Sequence, residues 1–277
     1  MNTVSSLSDL RAARLSLDGT VGLVPTMGYL HEGHLSLVSR AKAENKHVIV
    51  TIFVNPTQFG ANEDLSKYPR DLERDLSLLR PLGVDLIWMP TAEVMYPSGY
   101  QTWVEVDGLT SPLEGAMRPG HFRGVTTVVA KFFNATQPTK AYFGQKDAQQ
   151  AAVIRRMVTD LNFPLEMVIC PTTREADGLA MSSRNKYLDE AERKAATVLF
   201  RSLSAAKALY EGGERNAETL REKMKAVLAT EPLAQIQYVS CADYDSLAEL
   251  EIITGKALLS MAVFMGKTRL IDNFVLG

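Results

Sequence analysis

Residues 21–34 read VGLVPTMGYLHEGH, and this stretch decides the fold of the first half of the chain. The uninterrupted apolar run Val21–Val24 is typical of a short strand that is buried on both faces. Pro25–Gly28 are turn residues that we expect to end this strand, and a helical pattern resumes over Gly33–Asn45. The stretch therefore predicts a strand that passes through a tight turn into a helix.

The same alternation of strand and helix continues to residue 170. Further strands are predicted at 47–54 (HVIVTIFV), 84–88, 140–143 and 165–170, and further helices at 5–16, 70–80, 125–135 and 147–160. Strands that alternate with helices imply βαβ units and a parallel sheet covered on both faces. We therefore expect an α/β, Rossmann-like N-terminal domain over residues 1–176.

The second half of the chain has a different order of elements. Two long helical patterns, 189–211 and 215–229, precede strand-like runs at 235–241, 257–265 and 268–275. Helices followed by strands predict a smaller α+β domain. We place its beginning near Asp177-Gly178, so that it comprises residues 177–277.

Composition excludes several classes of protein. The chain has 277 residues with 30 Lys+Arg and 32 Asp+Glu, and this balance argues against a protein that coats nucleic acid. Cys170 and Cys241 make neither a disulfide framework nor a CxxC metal site. No apolar run reaches the roughly 18–20 residues that cross a bilayer, and the N-terminus lacks the apolar core of a signal peptide. We expect a cytoplasmic enzyme with reduced thiols.

The clearest chemical signal is the pair His31 and His34 at the predicted strand-to-helix turn. Free N–H groups and the helix dipole favour an anion there, and two imidazoles three residues apart can donate hydrogen bonds to phosphate oxygens. Two alternatives remain open. The histidines could be solvated side chains at a helix cap, or a metal pair, although the HxxH spacing lacks a third ligand nearby.

The motif HxGH in this setting resembles the nucleotidylyltransferase superfamily and the class I aminoacyl-tRNA synthetases. Those proteins attack an ATP α-phosphate and usually carry a second phosphate-binding segment late in the nucleotide domain. The segment Met181–Asn185, MSSRN, is suitably placed for this role. Its two hydroxyls and its guanidinium match pyrophosphate oxygens.

Further motifs narrow the resemblance to one family. They are VPTMG at 24–28, FVNPTQF at 53–59, YPR at 68–70, RPGHFRG at 118–124, FGQKDAQQ at 143–150, RE at 174–175, DGLAMSSRN at 177–185 and TRLIDN at 268–273. Together they resemble the pantothenate synthetase (pantoate–β-alanine ligase) family, whereas the helical region 190–235 carries no matching motif.

The resemblance implies a ligase of coenzyme A precursor biosynthesis with ATP as substrate. Pantoate would attack the α-phosphorus of ATP to give pantoyl adenylate and pyrophosphate, and β-alanine would then displace AMP to give pantothenate. Mg²⁺ is expected with the ATP phosphates. Asp71 and Asp75 could contact its bound water molecules, and the sequence identifies no direct protein ligand of the metal. A homodimer is expected from the family alone, with no nucleic-acid or membrane partner.

The resemblance also implies roles for individual residues. The catalytic set is His31, His34, Lys146, Ser182, Ser183 and Arg184. The ATP-binding set is Met27, Gly28, His31, Gly33, His34, Gly144, Lys146, Asp147, Thr173, Met181, Ser182, Ser183 and Arg184. The pantoate-binding set is Pro25, Met27, Asn55, Gln58, Val128, Val129, Phe143 and Gln150. Without the resemblance, Asn55 and Gln58 would be read as polar loop residues, and the valines and Phe143 as core.

Two other functions are possible for the chain, and each predicted domain has an expected role. The chain could be another nucleotidylyltransferase that makes a dinucleotide or a CDP-alcohol, which the set Asn55, Gln58 and Gln150 disfavours. It could also be a non-catalytic, nucleic-acid-binding relative of a tRNA synthetase, which the near-neutral charge disfavours. We expect residues 1–176 to bind ATP and pantoate, and residues 177–277 to form a lid that excludes water from the adenylate.

Overall fold

The computed structural model describes residues 1–60 and 63–277. The chain forms two compact units. The first contains residues 1–144 and 149–171, and the second contains residues 145–148 and 172–277. Lys146 and Asp147 therefore belong to the second unit, although the sequence around them continues the βαβ pattern of the first.

The first unit is built on a six-stranded parallel sheet with the order β1-β4-β3-β2-β5-β6. Its strands are β1 (Asn2–Val4), β2 (Val21–Thr26), β3 (His47–Ile52), β4 (Leu86–Trp88), β5 (Lys140–Gly144) and β6 (Glu166–Cys170). Both faces of the sheet are buried: Leu23 and Ile49 join one apolar cluster, whereas Val24 and Val50 join another. This explains why the central strands read as continuous apolar runs, and the predicted α/β parallel-sheet class is confirmed.

The helices of the first unit connect these strands. They are α1 (Leu7–Leu15), α2 (Glu32–Glu44), α3 (Leu72–Leu79), α4 (Ala92–Met95), α5 (Glu114–Met117), α6 (His121–Thr136) and α7 (Ala148–Asp160), the last beginning at the final residue of the 145–148 segment. The predicted helix 125–135 lacked the first turn of α6. This helix begins directly after Gly120, whose φ of 80° is left-handed, so the second half of RPGHFRG is helical.

Two strand predictions need correction. The prediction that Pro25 ends β2 was wrong, because β2 continues to Thr26 and pairs with β3 through Pro25 and Thr51. The ladder to β5 covers only Gly22 and Leu23, so Pro25 lies beyond the region where β2 has partners on both sides. Strand β1 was not predicted, because the polar residues Asn2 and Thr3 leave no apolar run there.

The second unit is an antiparallel sheet covered by helices. Its strands, in the order β7-β8-β9, are β7 (Ala234–Asp243), β8 (Ala257–Met265) and β9 (Thr268–Leu276), and its helices are α8 (Glu190–Ala195), α9 (Val198–Glu211) and α10 (Ala217–Leu228). Leu199, Leu220 and Met261 lie in its separate apolar core. The predicted α+β class is confirmed, but the predicted helix 189–211 is two helices.

Cys170 and Cys241 are both buried free thiols. Within residues 1–60 and 63–277, no helix is both long and apolar enough to cross a membrane.

Candidate active site

Hydrogen bonds and two left-handed residues fix the backbone conformation of the turn between β2 and α2. The Thr26 hydroxyl donates to the Thr51 carbonyl at 2.7 Å and accepts the Gly28 N–H at 3.2 Å. Gly28 and Tyr29 both have positive φ, 81° and 50°. A Cβ at position 28 would lie 3.0 Å from a carboxylate oxygen of Asp75. Glycine therefore suits position 28, because a side chain there would be strained at this φ and would crowd the Asp75 carboxylate.

Asp75, on α3, holds the same turn from outside the motif. Its two oxygens accept the N–H groups of Tyr29 and Leu30, each at 2.7 Å, and only 1% of the residue is exposed. Burial raises the pKa of this carboxyl, and the two N–H donors oppose the rise. The neighbouring Arg74 donates to the Leu30 carbonyl at 2.8 Å. From the sequence, Asp75 was expected only in relation to Mg²⁺, and this structural role was not predicted.

His31 and His34 are brought together by the start of α2. Nδ1 of His31 accepts the Gly33 N–H at 3.1 Å, Nδ1 of His34 accepts the His31 N–H at 3.4 Å, and the ring centroids are 4.1 Å apart. Because each Nδ1 accepts a hydrogen bond, the ring proton lies on Nε2. Both rings thus present an Nε2–H, which suits an anion.

The metal-pair alternative gains no support from this geometry, because both Nδ1 atoms are engaged by backbone N–H groups and the described residues bring no third metal-binding side chain to the pair. The carboxylates considered for Mg²⁺ are also engaged, since Asp75 binds the turn and Asp71 caps α3 by accepting the Arg74 N–H. In the part of the chain that the structure describes, no group of three His, Cys, Asp or Glu side chains could hold a metal ion. Within residues 1–60 and 63–277, these side chains therefore offer no three-ligand protein site for Mg²⁺.

A second cluster joins three of the predicted pantoate residues. Asn55 donates through Nδ2 to Gln58 Oε1 at 3.1 Å and to the Gly124 carbonyl at 3.1 Å. Gln58 in turn directs its Nε2 to the sulfur of Met27 at 3.3 Å. Tyr96 donates its hydroxyl proton to Asn55 Oδ1 at 2.9 Å. The structure therefore places Met27, Asn55 and Gln58 in one hydrogen-bonded group.

His121 also supports this cluster, a role that the sequence analysis missed. Its Nδ1–H donates to the Gln58 carbonyl at 2.8 Å, and its Nε2 accepts from Arg118 at 3.0 Å. Arg118 is fixed by a bidentate pair with Glu63, at 2.6 and 2.7 Å. Burial, together with the charge of Arg118, lowers the pKa of His121 to about 4. The imidazole is therefore neutral at pH 7 and acts as a fixed donor.

The remaining pantoate candidates lie on regular elements of the first unit. Pro25 is in β2 and Gln150 is in the first turn of α7. Val128, Val129 and Phe143 are buried and belong to one apolar cluster of the sheet. All three side chains therefore have a structural role in the core of the first unit. Their contact with pantoate stays a prediction.

The predicted phosphate-binding residues of the second unit lie in two short turns. Lys146 and Asp147 are in the 3₁₀ turn Gln145–Asp147, and their charged groups are 3.7 Å apart. The Ser182 hydroxyl accepts the Arg184 N–H at 3.2 Å and so caps the 3₁₀ segment Ser183–Tyr187.

The chain just before the MSSRN turn is also held in place. The Met181 N–H donates to the Thr173 carbonyl at 3.0 Å, which pairs the two ends of the 173–181 loop. Gly144, at the end of β5, is the last residue of the first unit before the 145–148 segment, and nothing lies within 4 Å of where its Cβ would be.

These features define a class of protein. A parallel α/β unit in which a buried strand turns into a helix, with two Nε2–H donors in an HxGH motif, is the architecture of nucleotide-dependent transferases and ligases of the HxGH type. The family model described as pantoate-beta-alanine ligase matches residues 1–275. The chain belongs to the pantoate-beta-alanine ligase family.

Similar proteins agree with this assignment. A pantothenate synthetase of Roseiflexus sp. (strain RS-1) is 62% identical over 276 residues, which cover 100% of this chain and 99% of that one. One of Herpetosiphon aurantiacus is 60% identical over 277 residues, with 100% of both chains covered. The predicted enzyme class and its reaction, the ligation of pantoate and β-alanine, are confirmed as those of the family.

Solved structures agree as well. The crystal structure of pantothenate synthetase from Thermus thermophilus matches with a TM-score of 0.95 and 49% identity, covering 99% of both chains. The ligase from Francisella tularensis matches with a TM-score of 0.82 and 36% identity, covering 99% of this chain and 97% of that one. That structure is complexed with beta-gamma ATP and beta-alanine.

Proposed function

We propose that this chain makes pantothenate in two steps through pantoyl adenylate. In the first step a carboxylate oxygen of pantoate bonds to the α-phosphorus of ATP, and the bond to pyrophosphate breaks. In the second the β-alanine nitrogen bonds to the acyl carbon and loses a proton, and the bond to AMP breaks. The paired Nε2–H groups of His31 and His34 at the start of α2 carry this proposal, and the ATP-related ligand of the F. tularensis enzyme supports it.

His31 and His34 are proposed to donate to phosphate oxygens during adenylation. Attack by a carboxylate on a polyanion needs charge stabilisation and alignment more than covalent help from the protein. Donors that are held in place by backbone hydrogen bonds provide this without reorganising during the step. The N–H groups at the beginning of α2, near Gly33, add to the same electrostatic effect.

In the second unit, Lys146 and Arg184 supply positive charge for the phosphates, and Ser182 and Ser183 supply hydroxyl donors. The adenosine part of ATP is assigned to the remaining ATP candidates. These are Met27, Gly28, Gly33, Gly144, Asp147, Thr173 and Met181. A carboxylate such as Asp147 can accept hydrogen bonds from ribose hydroxyls.

Pantoate is assigned to the amide cluster of the first unit, which is the hydrogen-bonded group of Met27, Asn55 and Gln58, together with Gln150. Gln58 and Gln150 both donate to and accept from hydroxyl groups, which an ionised carboxylate cannot do. Asn55 fixes the amide orientation of Gln58 through its 3.1 Å hydrogen bond to Oε1. Pro25, Met27 and the apolar side chains of Val128, Val129 and Phe143 would face the methyl groups of pantoate.

Four further properties belong to the proposal. Mg²⁺ enters as part of the ATP substrate, held by phosphate oxygens and water. The chain acts as a cytoplasmic homodimer, and residues 177–277 act as a lid. Sedimentation of the purified protein tests the dimer, and interdomain distances with and without a non-hydrolysable ATP analogue test the lid.

Product analysis tests the reaction itself. The purified chain is incubated with ATP, pantoate and β-alanine, and each is omitted in turn. We expect AMP and pyrophosphate from the full mixture, and exchange of labelled pyrophosphate into ATP when β-alanine alone is left out. Formation of ADP and phosphate would mean an acyl phosphate intermediate and would overturn the proposal.

A further inference from the structure

The motif TRLIDN at 268–273 lies on β9 and has no assigned role, yet its last residue binds the turn that carries Lys146. Asn273 donates through Nδ2 to the Gln145 carbonyl at 3.0 Å and to the Lys146 carbonyl at 2.8 Å. Its Oδ1 accepts from the Gln145 side chain at 3.1 Å. The residue is 4% exposed. Its side-chain amide is therefore devoted to a two-residue stretch of the chain.

Asp272 fixes Asn273 and a second turn at the same time. Its Oδ1 accepts the Asn273 N–H at 2.8 Å, and its two oxygens receive a bidentate pair from Arg174 at 2.7 and 2.8 Å. Arg174 also donates to the Gly178 carbonyl at 2.9 Å, and its guanidinium lies 5.0 Å from the ring of Phe200. Asp272 is 2% exposed, so its side of the ion pair is shielded from water.

These contacts matter because of how the 145–148 segment reaches the second unit. It is a four-residue excursion from the first unit, which the chain re-enters at Gln149. Three hydrogen bonds between Asn273 on β9 and this segment, two to its carbonyls and one from the Gln145 side chain, therefore help to hold it in the second unit. Lys146 ends in a point charge on a flexible stem, and the position of that charge is limited by the position of its backbone.

We infer that Asn273 is a positioning residue that places Lys146 for the adenylation step. The inference rests on the proposed role of Lys146 at the ATP phosphates. Without the amide, two partly buried carbonyls lose their donor, which favours a shift of the turn toward water. A displacement of about 1 Å at a charge-stabilising group can cost on the order of 100-fold in rate. Asp272 and Arg174 support the same arrangement through the Asn273 backbone.

A double-mutant cycle tests this inference in the full-length enzyme. Asn273→Ala, Lys146→Ala and the double variant are assayed by pyrophosphate exchange with pantoate. We expect Asn273→Ala to lower kcat by roughly 10- to 100-fold with the KM for pantoate nearly unchanged, as for a misplaced transition-state group. In the Lys146→Ala background the same change should cost less than about 3-fold, because interacting residues are not additive.

A matched control separates positioning from general damage to β9. Gln237→Ala removes another side-chain amide that binds this strand, since Gln237 Oε1 accepts from Arg269 at 2.7 Å. We expect exchange to remain near the wild-type rate in this variant. If Asn273→Ala does not fold, Asn273→Ser retains one donor and enters the same cycle.

The outcomes distinguish the inference from the proposed function. Equal losses from the Asn273 substitution in both backgrounds, or an unchanged kcat, would show that Asn273 does not act through Lys146. Exchange at the wild-type rate in Lys146→Ala would overturn the role of Lys146 itself, and the inference with it. A loss confined to Lys146→Ala would leave the proposed function intact and refute the inference alone.

Discussion

His121 offers a quantitative test of how the amide cluster of the first unit is held. The side chain is 8% exposed and lies between the Gln58 carbonyl and the guanidinium of Arg118. Burial and the charge of Arg118 lower its pKa from 6.5 to about 4. Protonation would remove the lone pair on Nε2 that accepts from Arg118, so the folded first unit should resist it.

The magnitude follows from linkage between proton binding and folding. One unit of pKa corresponds to about 1.4 kcal/mol, so a decrease of this size is worth roughly 3 kcal/mol. Between pH 6.5 and pH 4 the unfolded chain binds a proton at His121 and the native unit does not. The free energy of unfolding therefore has its full contribution from neutral His121 above pH 6.5 and loses it as the pH falls toward 4.

Two measurements check this expectation. The chain has four histidines, so the His121 resonance can be assigned in NMR spectra by its loss in His121→Asn and then titrated. Urea unfolding between pH 4 and pH 7.5 can be followed by tryptophan fluorescence, because Trp88 and Trp103 both lie in the first unit. Asn cannot titrate but keeps a donor, so the wild type should lose its advantage over His121→Asn as the pH falls. A His121 resonance that titrates near pH 6.5, or parallel pH profiles for the two proteins, would refute the reasoning.

Three further predictions concern the proposed site. Asp75→Asn should remove one of the two hydrogen bonds to the Tyr29–Leu30 backbone, because an amide NH₂ cannot accept an N–H, and should leave the other without its charge assistance. We expect a cost of about 1.5–3 kcal/mol of stability in urea unfolding, with slower pyrophosphate exchange; unchanged stability and exchange would count against this role. His31→Ala and His34→Ala should each lower adenylation by roughly 10²–10³-fold, and loss of the side-chain caps at the start of α2 should cost about 0.5–2 kcal/mol in unfolding; unaltered single-turnover rates would return both residues to helix capping alone. Gln58→Ala should raise the KM for pantoate more than the Kd for ATP in calorimetry, and equal defects would place Gln58 elsewhere.

The elements that position the site were largely predictable, because their signals are local. The runs at 21–24 and 47–54 have the composition of strands covered on both faces, and the helices between strands follow a 3.6-residue pattern. Details that depend on neighbouring strands were not predictable. Pro25 stays in β2 because pairing with β5 has already ended at Leu23, and nothing in the sequence around residue 25 reports the length of that ladder.

The division of the chain into two units was also hard to predict from the sequence, because it too depends on distant contacts. Residues 145–148 follow β5 and precede the rest of α7, so local patterns assign them to the first unit. Their membership of the second unit depends on contacts with β9, more than a hundred residues away in sequence. Only tertiary structure carries that information.

The residues that sequence reasoning missed share one property. Asp75, His121 and Asn273 each hold the main chain of a motif that lies far away in sequence: the HxGH turn, the Gln58 carbonyl and the Lys146 turn. Locally each is an ordinary residue, an acid on an amphipathic helix, a histidine at a helix start and an amide on a strand. Two of them nevertheless lie in motifs, RPGHFRG and TRLIDN, that matched the family without offering a ligand contact. Because a site must fix the backbone of its ligand-binding groups as well as present them, a motif with no assigned contact is the best place in a sequence to look for such supporting residues.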